Sequence, residues 1–156
     1  MSFMGTLRLP HILLDSNFNA KLSGFALARD GPTDDESYVS SPFRGTTGYA
    51  APERLTTGRL NAKCDVYSFG VVLLEIFSGR RAIESTGTPA QEYLVKRVNK
   101  YGISVVLDRR LDGQRFFLKR ARKLANLALH CLNDEPKFRP DMEDVVMALE
   151  SLQESN

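Results

Sequence analysis

The pattern of apolar positions predicts a mainly helical chain with a buried central helix. Between residues 66 and 77, apolar residues occupy nearly every side of a helix rather than one stripe. A helix of this kind is surrounded by protein on all sides. Asp65 is placed to cap its N-terminus, and Gly79 is placed to end it.

Amphipathic patterns predict two further helices after the less regular region between residues 80 and 115, and one more helix is expected inside that region. One runs over about 117–132, with an apolar stripe opposite a basic face that we interpret as solvated surface. The stripe is formed by Phe117, Ala121, Leu124, Ala128 and Cys131. Another begins after Pro140, where Asp141 can cap. Its apolar stripe is formed by Met142, Val145, Val146, Leu149 and Leu152. A third is expected over about 92–101.

A β-hairpin is predicted near the N-terminus. Residues 12–15 and 20–23 are short apolar runs separated by Ser-Asn-Phe-Asn, a plausible four-residue turn. Residues 30–41 are rich in Asp, Glu, Gly, Pro, Ser and Thr and predict an exposed loop. The fold class is therefore mainly α with one short hairpin.

Composition favours one soluble globular domain. The 156 residues are 42% hydrophobic and 26% charged, which is ordinary for a folded chain with a core. A formal charge of +2 does not indicate a nucleic-acid partner. We find no apolar run long enough to cross a membrane and no signal peptide pattern. We expect a cytoplasmic protein that would need a partner or an absent segment to reach the plasma membrane.

The two cysteines are interpreted as small buried residues. Cys64 and Cys131 lie far apart in apolar helical stretches and match no metal-ligand spacing. Neither has an evident cationic neighbour that would lower the pKa of its thiol. No metal site is predicted.

Three motifs resemble the C-terminal lobe of eukaryotic protein kinases. Residues 45–53 read Gly-Thr-Thr-Gly-Tyr-Ala-Ala-Pro-Glu, residues 65–70 read Asp-Val-Tyr-Ser-Phe-Gly, and residues 139–140 are Arg-Pro. With residues 71–75 and 78–82, they are similar to plant receptor-like cytoplasmic Ser/Thr kinases. The resemblance covers residues 12–153, including an activation segment at about 24–53. Residues 1–11 are a divergent segment at the catalytic-loop position, and residues 154–156 are a tail.

When the chain is aligned with the kinase motifs that it resembles, the residues at the catalytic positions differ from those of the family. Phosphoryl transfer uses a catalytic-loop Asp as base, an Asn and a second Asp for Mg²⁺, and a Lys on the phosphates. Here Thr6 stands at the base position, Arg8 at the catalytic-loop Lys position and His11 at the Asn position. Gly24 stands at the metal-binding Asp position. No catalytic residue and no ATP or Mg²⁺ site is therefore predicted, unless the family activity is retained.

The residues that brace such a lobe are present. The resemblance implies that Glu53 pairs with Arg139 and fixes the end of the activation segment against the helices. It also implies that Asp65 bonds to the backbone of the catalytic loop. These are structural roles rather than catalytic ones.

The resemblance further implies regulatory phosphorylation of the activation segment. Arg44 and Arg29 are the local cations that would receive a phosphate. Ordinary polar loop residues are the alternative interpretation. The candidate phosphorylation sites are Ser37, Ser40, Ser41, Thr46 and Thr47.

Three functional hypotheses follow. The first is a catalytically inactive kinase fragment that binds proteins such as kinases or receptors. The second is a working Ser/Thr kinase whose glycine-rich loop and lysine strand, which we do not find here, are supplied elsewhere. The third is a remnant without function. An exposed apolar patch of Phe3, Leu22 and Phe25, expected on the upper surface of the lobe, favours a protein partner.

Overall fold

The computed structural model describes residues 2–31, 38–85, 91–103 and 115–153. The helices in these ranges are α1 (Pro52–Thr57), α2 (Ala62–Ser78), α3 (Leu94–Tyr101), α4 (Arg115–Cys131) and α5 (Met142–Gln153). The paired strands are β1 (Ser2–Phe3) with β4 (Arg29–Asp30), β2 (Ile12–Leu14) with β3 (Ala20–Leu22), β5 (Val39–Ser40) with β6 (Arg59–Leu60), and β7 (Ile83–Ser85) with β8 (Gln91–Tyr93). All four pairings are antiparallel.

Helix α2 lies at the centre of the core, as predicted. Val71, Val72 and Leu74 are fully buried. Gly79 ends the helix in the left-handed conformation, with φ 63°, and its N–H donates to Glu75 O at 2.9 Å. Central burial of this helix therefore follows from its apolar residues on nearly every side.

The predicted N-cap of α2 is wrong. The helix begins at Ala62, and Asn61 caps it: Asn61 Oδ1 accepts from the N–H of Cys64 at 3.2 Å. Asn61 has the extended backbone of an N-cap residue, with φ −147°. Asp65 lies inside the first turn, where its carboxylate is free to bond elsewhere.

Close packing of α2 on α4 depends on the absence of a side chain at Gly70. A Cβ at this position would lie 2.8 Å from Cys131 Cβ, nearer than real Cβ atoms come. Ala121, Ala128 and Cys131 form the buried stripe of α4, so the helix predicted over 117–132 is confirmed. The side chain of Phe117, which was predicted in this stripe, lies outside the described residues.

Helix α5 follows Asp141, as predicted. The Asp141 N–H donates to Asp144 Oδ2 at 3.2 Å, and its carbonyl accepts from the N–H of Val145 at 3.1 Å. The Asp141 carboxylate forms an ion pair with Lys63 at 2.6 Å. Val145 is fully buried, whereas Val146, predicted in the same stripe, is exposed.

The N-terminal hairpin is confirmed. Ile12 pairs with Leu22, and the turn is closed by Asp15, whose Oδ1 accepts from the N–H groups of Asn17 and Asn19 at 2.9 Å each. The three other strand pairs have no alternating pattern in the sequence and were not predicted. One of them includes residues 91–93, so α3 begins two residues later than the predicted helix.

The predicted apolar patch is only partly present. Leu22 and Phe25 are 49% and 57% exposed, but Phe3 is only 6% exposed, so its inclusion was wrong. Phe3 is buried because β1 pairs with β4, and its side chain joins the main core with Leu60. Within the described ranges, no helix has both the length and the apolar character needed to span a membrane.

Candidate functional site

The segment at the catalytic-loop position is held on α2 through its backbone. The N–H groups of Met4 and Gly5 donate to the two carboxylate oxygens of Asp65 at 2.9 and 2.6 Å. The N–H of Leu7 donates to Ser68 Oγ at 3.0 Å. Burial raises the pKa of Asp65, and the two backbone hydrogen bonds oppose that rise. Asp65 therefore fixes the course of residues 4–7.

Thr6, at the base position, is buried beneath the activation segment. It is 5% exposed, and a Cβ at Gly45 would lie 2.6 Å from its Oγ1. A hydroxyl in this position supplies no negative charge to orient a substrate hydroxyl. Kinase chemistry uses an Asp carboxylate for this task, and a threonine carries none.

Arg8 links His11 to the activation segment. Its Nε and Nη2 lie 3.3 and 3.0 Å from His11 Nε2, and its Nη1 donates to Thr46 Oγ1 at 3.1 Å. A guanidinium group only donates, so Nε2 accepts and the ring proton is on Nδ1. Burial, and then the charge of Arg8, lowers the pKa of His11, which keeps the imidazole neutral at neutral pH.

The imidazole of His11 occupies the space beside Gly24. A Cβ at Gly24 would lie 2.7 Å from both Cδ2 and Cγ of the ring, and the backbone there has φ 85°. His11 Nδ1 is buried and has no hydrogen-bond partner among the described residues. Mg²⁺ prefers oxygen ligands, and no group of three or more His, Cys, Asp or Glu in the described ranges could hold a metal ion. The residues present do not fit Mg²⁺.

Glu53 and Arg139 form a bidentate ion pair at the end of the activation segment. Arg139 Nη1 and Nη2 donate to the two Glu53 oxygens at 2.7 and 2.8 Å. The guanidinium is 2% exposed and also donates to the carbonyl groups of Lys63, Asn133 and Asp134. Burial would raise the pKa of Glu53, but the hydrogen bond and charge of Arg139 outweigh it, and the pKa lies below its ordinary value.

Arg54 is a second buried guanidinium that sequence reasoning missed. It is 5% exposed and donates to the carbonyl groups of Ser41, Pro42 and Gly58. These bonds tie the activation segment to the end of α1. No local signal identifies this role, because carbonyl acceptors are present in every sequence.

The candidate phosphorylation sites near β5 lie beside a basic cleft. Ser40 is exposed, and Ser41 is half-buried with its Oγ donating to Pro42 O at 3.3 Å. The cleft next to Ser41 is lined by Arg29 and Arg44, together with Arg54. Ser37 lies outside the described residues.

The two threonine candidates have different surroundings. Thr46 is half-buried and bonded to Arg8, whereas Thr47 is exposed in the 3-10 turn Thr47–Tyr49. The nearest cation to Thr46 is thus Arg8, rather than the expected Arg44 or Arg29.

Both cysteines are buried free thiols. Burial raises the pKa of Cys64 to about 12 and that of Cys131 to about 11. Thiols with such pKa values stay protonated and unreactive at neutral pH.

The sequence matches the protein tyrosine and serine/threonine kinase family over residues 5–149. Receptor-like cytoplasmic kinase 176 of Oryza sativa subsp. japonica is 53% identical over 150 residues, which cover 93% of this chain and 38% of the relative. The probable serine/threonine-protein kinase PBL10 of Arabidopsis thaliana is 52% identical over 151 residues, covering 94% and 36%.

A third relative gives the same result. The serine/threonine-protein kinase BIK1 of Arabidopsis thaliana is 49% identical over 154 residues, covering 96% of this chain and 39% of the relative. The chain thus spans less than two fifths of the length of these curated relatives. The family match, the helical lobe and the ion pair between Glu53 and Arg139 all indicate a protein kinase lobe. The chain belongs to the protein tyrosine and serine/threonine kinase family and resembles plant receptor-like cytoplasmic kinases.

Proposed function

We propose that this chain is a pseudokinase segment that binds other proteins and does not itself catalyse phosphoryl transfer. The observation that carries the proposal is the position of the His11 ring, which fills the space beside Gly24. A side chain that held a metal ion from position 24 would have to displace that ring.

The chemistry of the family supports inactivity. Kinases of this family normally use ATP and Mg²⁺, and the metal neutralises charge on the transferring phosphates. Thr6, His11 and Gly24 supply no carboxylate to orient a hydroxyl or to hold the ion. Catalytic groups that act as a unit are strongly non-additive, so restoring one of the three positions leaves the reaction without the others.

Exposed apolar side chains on the hairpin support the protein-binding part of the proposal. Leu13, Leu14 and Phe18 are 53%, 61% and 82% exposed, and Leu22 and Phe25 lie nearby in the chain. Exposure of several large apolar side chains on one hairpin favours contact with another protein surface. Kinases or receptors of a cytoplasmic signalling system are the proposed partners.

Nucleotide binding separates this proposal from a working kinase. The purified chain is titrated with ATP in Mg²⁺ or Mn²⁺ in a calorimeter, beside a matched Thr6→Asp, His11→Asn, Gly24→Asp variant. We expect no heat of binding from the natural sequence. Saturable binding of ATP with metal, accompanied by phosphorylation of a generic protein substrate, would overturn the proposal in favour of an active Ser/Thr kinase.

A further inference from the structure

A cleft of about 370 Å³ lies away from the catalytic-loop segment. It is bounded by the 3-10 turn at Thr47, by α1 and by α3, with the loop after α4 at one end. None of residues 4–11 lines it. The cleft is therefore a second surface, separate from the substituted catalytic positions.

The walls and the end of the cleft differ in chemistry. Pro52, Leu55 and Val95 supply apolar walls, and Leu55 is 47% exposed. The end is formed by Tyr67 and by Asp134. An aliphatic wall next to a polar end suits a long side chain with an apolar stem and a polar head.

The end of the cleft carries a carboxylate without an ion-pair partner among the described residues, although the Arg139 guanidinium lies over the Tyr67 ring, 4.9 Å from its centroid. In the described part of the chain, no cation pairs with the Asp134 carboxylate, and no hydrogen bond to the Tyr67 hydroxyl is present. Arg139 contacts only the backbone carbonyl of Asp134, because its guanidinium is bonded to Glu53. Burial raises the pKa of Tyr67 to about 12, and the charge of Asp134 adds to that rise.

Lys96, which lines the cleft, has its ammonium group directed elsewhere. Lys96 Nζ lies over the ring of Tyr93, 5.0 Å from its centroid. This cation–π contact stabilises the ammonium group at the rim. Asp134 is thus available to a charge brought by a ligand.

We infer that the cleft binds an arginine side chain from a protein partner. The aliphatic stem would lie against Leu55 and Val95, and the guanidinium would donate to Asp134 and to the Tyr67 hydroxyl. Arginine fits better than lysine because its planar head can donate to a carboxylate in bidentate fashion. The inference rests on the proposed protein-binding role and names the chemistry of the partner.

Two matched small molecules test this inference on the intact chain. N-acetyl-arginine methylamide and its neutral analogue N-acetyl-citrulline methylamide are titrated while methyl NMR signals of Leu55 and Val95 are followed. One side chain in one cleft should bind with a Kd of order millimolar. We expect saturable shifts with the arginine compound and at least about tenfold weaker binding of the citrulline compound.

Matched variants complete the test. Asp134→Asn should remove the preference for arginine, whereas Glu135→Gln, a neighbouring exposed carboxylate outside the cleft, should retain it. Equal affinity for both compounds, no saturable shift, or shifts away from the cleft would overturn the inference. Nucleotide titration of the same sample tests the proposed inactivity separately. Failure of arginine binding would leave the proposed inactivity unchanged, and binding of ATP would leave the result for the cleft unchanged.

Discussion

His11 and Gly24 are sterically coupled: the imidazole ring of His11 lies where a side chain at position 24 would project. The ring atoms stand 2.7 Å from an ideal Cβ at that position. Arg8 holds the ring in place through Nε2. The two substituted positions, which lie far apart in the motif pattern, thus form one packed unit.

Gly24→Asp alone should destabilise the chain more than backbone strain explains. The left-handed backbone costs about 1–2 kcal/mol for a non-glycine residue, and overpacking against His11 adds about 1–3 kcal/mol. Urea unfolding measures the loss. Gly58→Asp is the control, since Gly58 has the same left-handed backbone, with φ 71° and ψ 3°, and the nearest atom to a Cβ added there would be Ser41 O at 3.2 Å. Equal losses at positions 24 and 58 would contradict the steric coupling.

His11→Asn in the Gly24→Asp background should recover part of the lost stability. Asparagine is smaller than histidine and leaves room for the new carboxylate. The unfolding midpoint of the double variant should therefore lie above that of Gly24→Asp. A simple sum of two single losses would argue that the residues are independent.

Removal of one partner of the Glu53–Arg139 pair should be strongly destabilising. Arg139→Met leaves the Glu53 carboxylate buried without its cation, which costs about 3–5 kcal/mol. Glu84→Gln is the matched control, because the Arg80–Glu84 pair at 3.2 Å is partly exposed and such pairs contribute below about 1 kcal/mol. Chemical denaturation of both variants compares the losses. Similar losses in the two variants would show that the Glu53 pair does not brace the lobe.

The helical core was predictable because its signals are local. The apolar character of residues 66–77, the hairpin and Gly79 depend on neighbouring residues in the chain. Periodicity and turn chemistry report such features directly. The family motifs likewise predicted the pairing of Glu53 with Arg139, which are 86 residues apart in the chain.

The missed features depend on contacts between distant segments. Asp65 resembles an N-cap by sequence, but Asn61 takes that role and leaves Asp65 to bind the backbone of Met4 and Gly5. The three acceptors of Arg54 are backbone carbonyl groups. The fit of His11 beside Gly24 depends on the fold, which no pattern in residues 1–24 encodes.

The free energy of unfolding should decrease in acid because the Glu53 carboxylate becomes protonated. Its pKa in the folded chain lies below the ordinary value of 4.5, so the unfolded chain binds more protons. The stabilisation is present above about pH 4.5 and is lost as pH falls through the folded pKa. Unfolding free energies between about pH 3 and 7, compared with those of Glu53→Gln, isolate this contribution.

The comparison with Glu53→Gln is needed because Asp65 acts in the opposite direction. Its folded pKa is raised by burial, so its contribution is present at low pH and declines as pH rises through the folded pKa. Parallel pH profiles for the natural chain and Glu53→Gln would contradict the assignment to Glu53.

Arg54→Met should loosen the activation segment without unfolding the helices. The change removes the hydrogen bonds to the carbonyl groups of Ser41 and Pro42 while it keeps a long apolar stem. Amide hydrogen exchange over residues 38–44 should accelerate, and exchange in α2 should stay slow. Arg44→Met, at an exposed position in the same segment, is the control and should change exchange little. Uniform acceleration in both variants would argue against an anchoring role for Arg54.

A phosphate on Thr46 should tighten the contact between the activation segment and residues 8–11. Arg8 Nη1 already lies 3.1 Å from Thr46 Oγ1, and Arg81 lines the same cleft. A phosphate adds up to about two negative charges and about 1–3 charge-assisted hydrogen bonds where a cation is in reach. Semisynthetic chain phosphorylated at Thr46 should melt about 2–4 °C higher, an increase that shrinks as salt screens the charges.

The matched comparison for this effect is phosphate on Thr47, which is exposed and has no hydrogen bond to Arg8 among the described residues. It should leave the melting temperature nearly unchanged. Arg8→Gln should abolish the increase from phosphorylated Thr46, because the amide cannot supply the charge. An increase that survives this substitution, or that is equal for the two threonines, would mean that Arg8 does not receive the phosphate and that Thr46 acts through another part of the lobe.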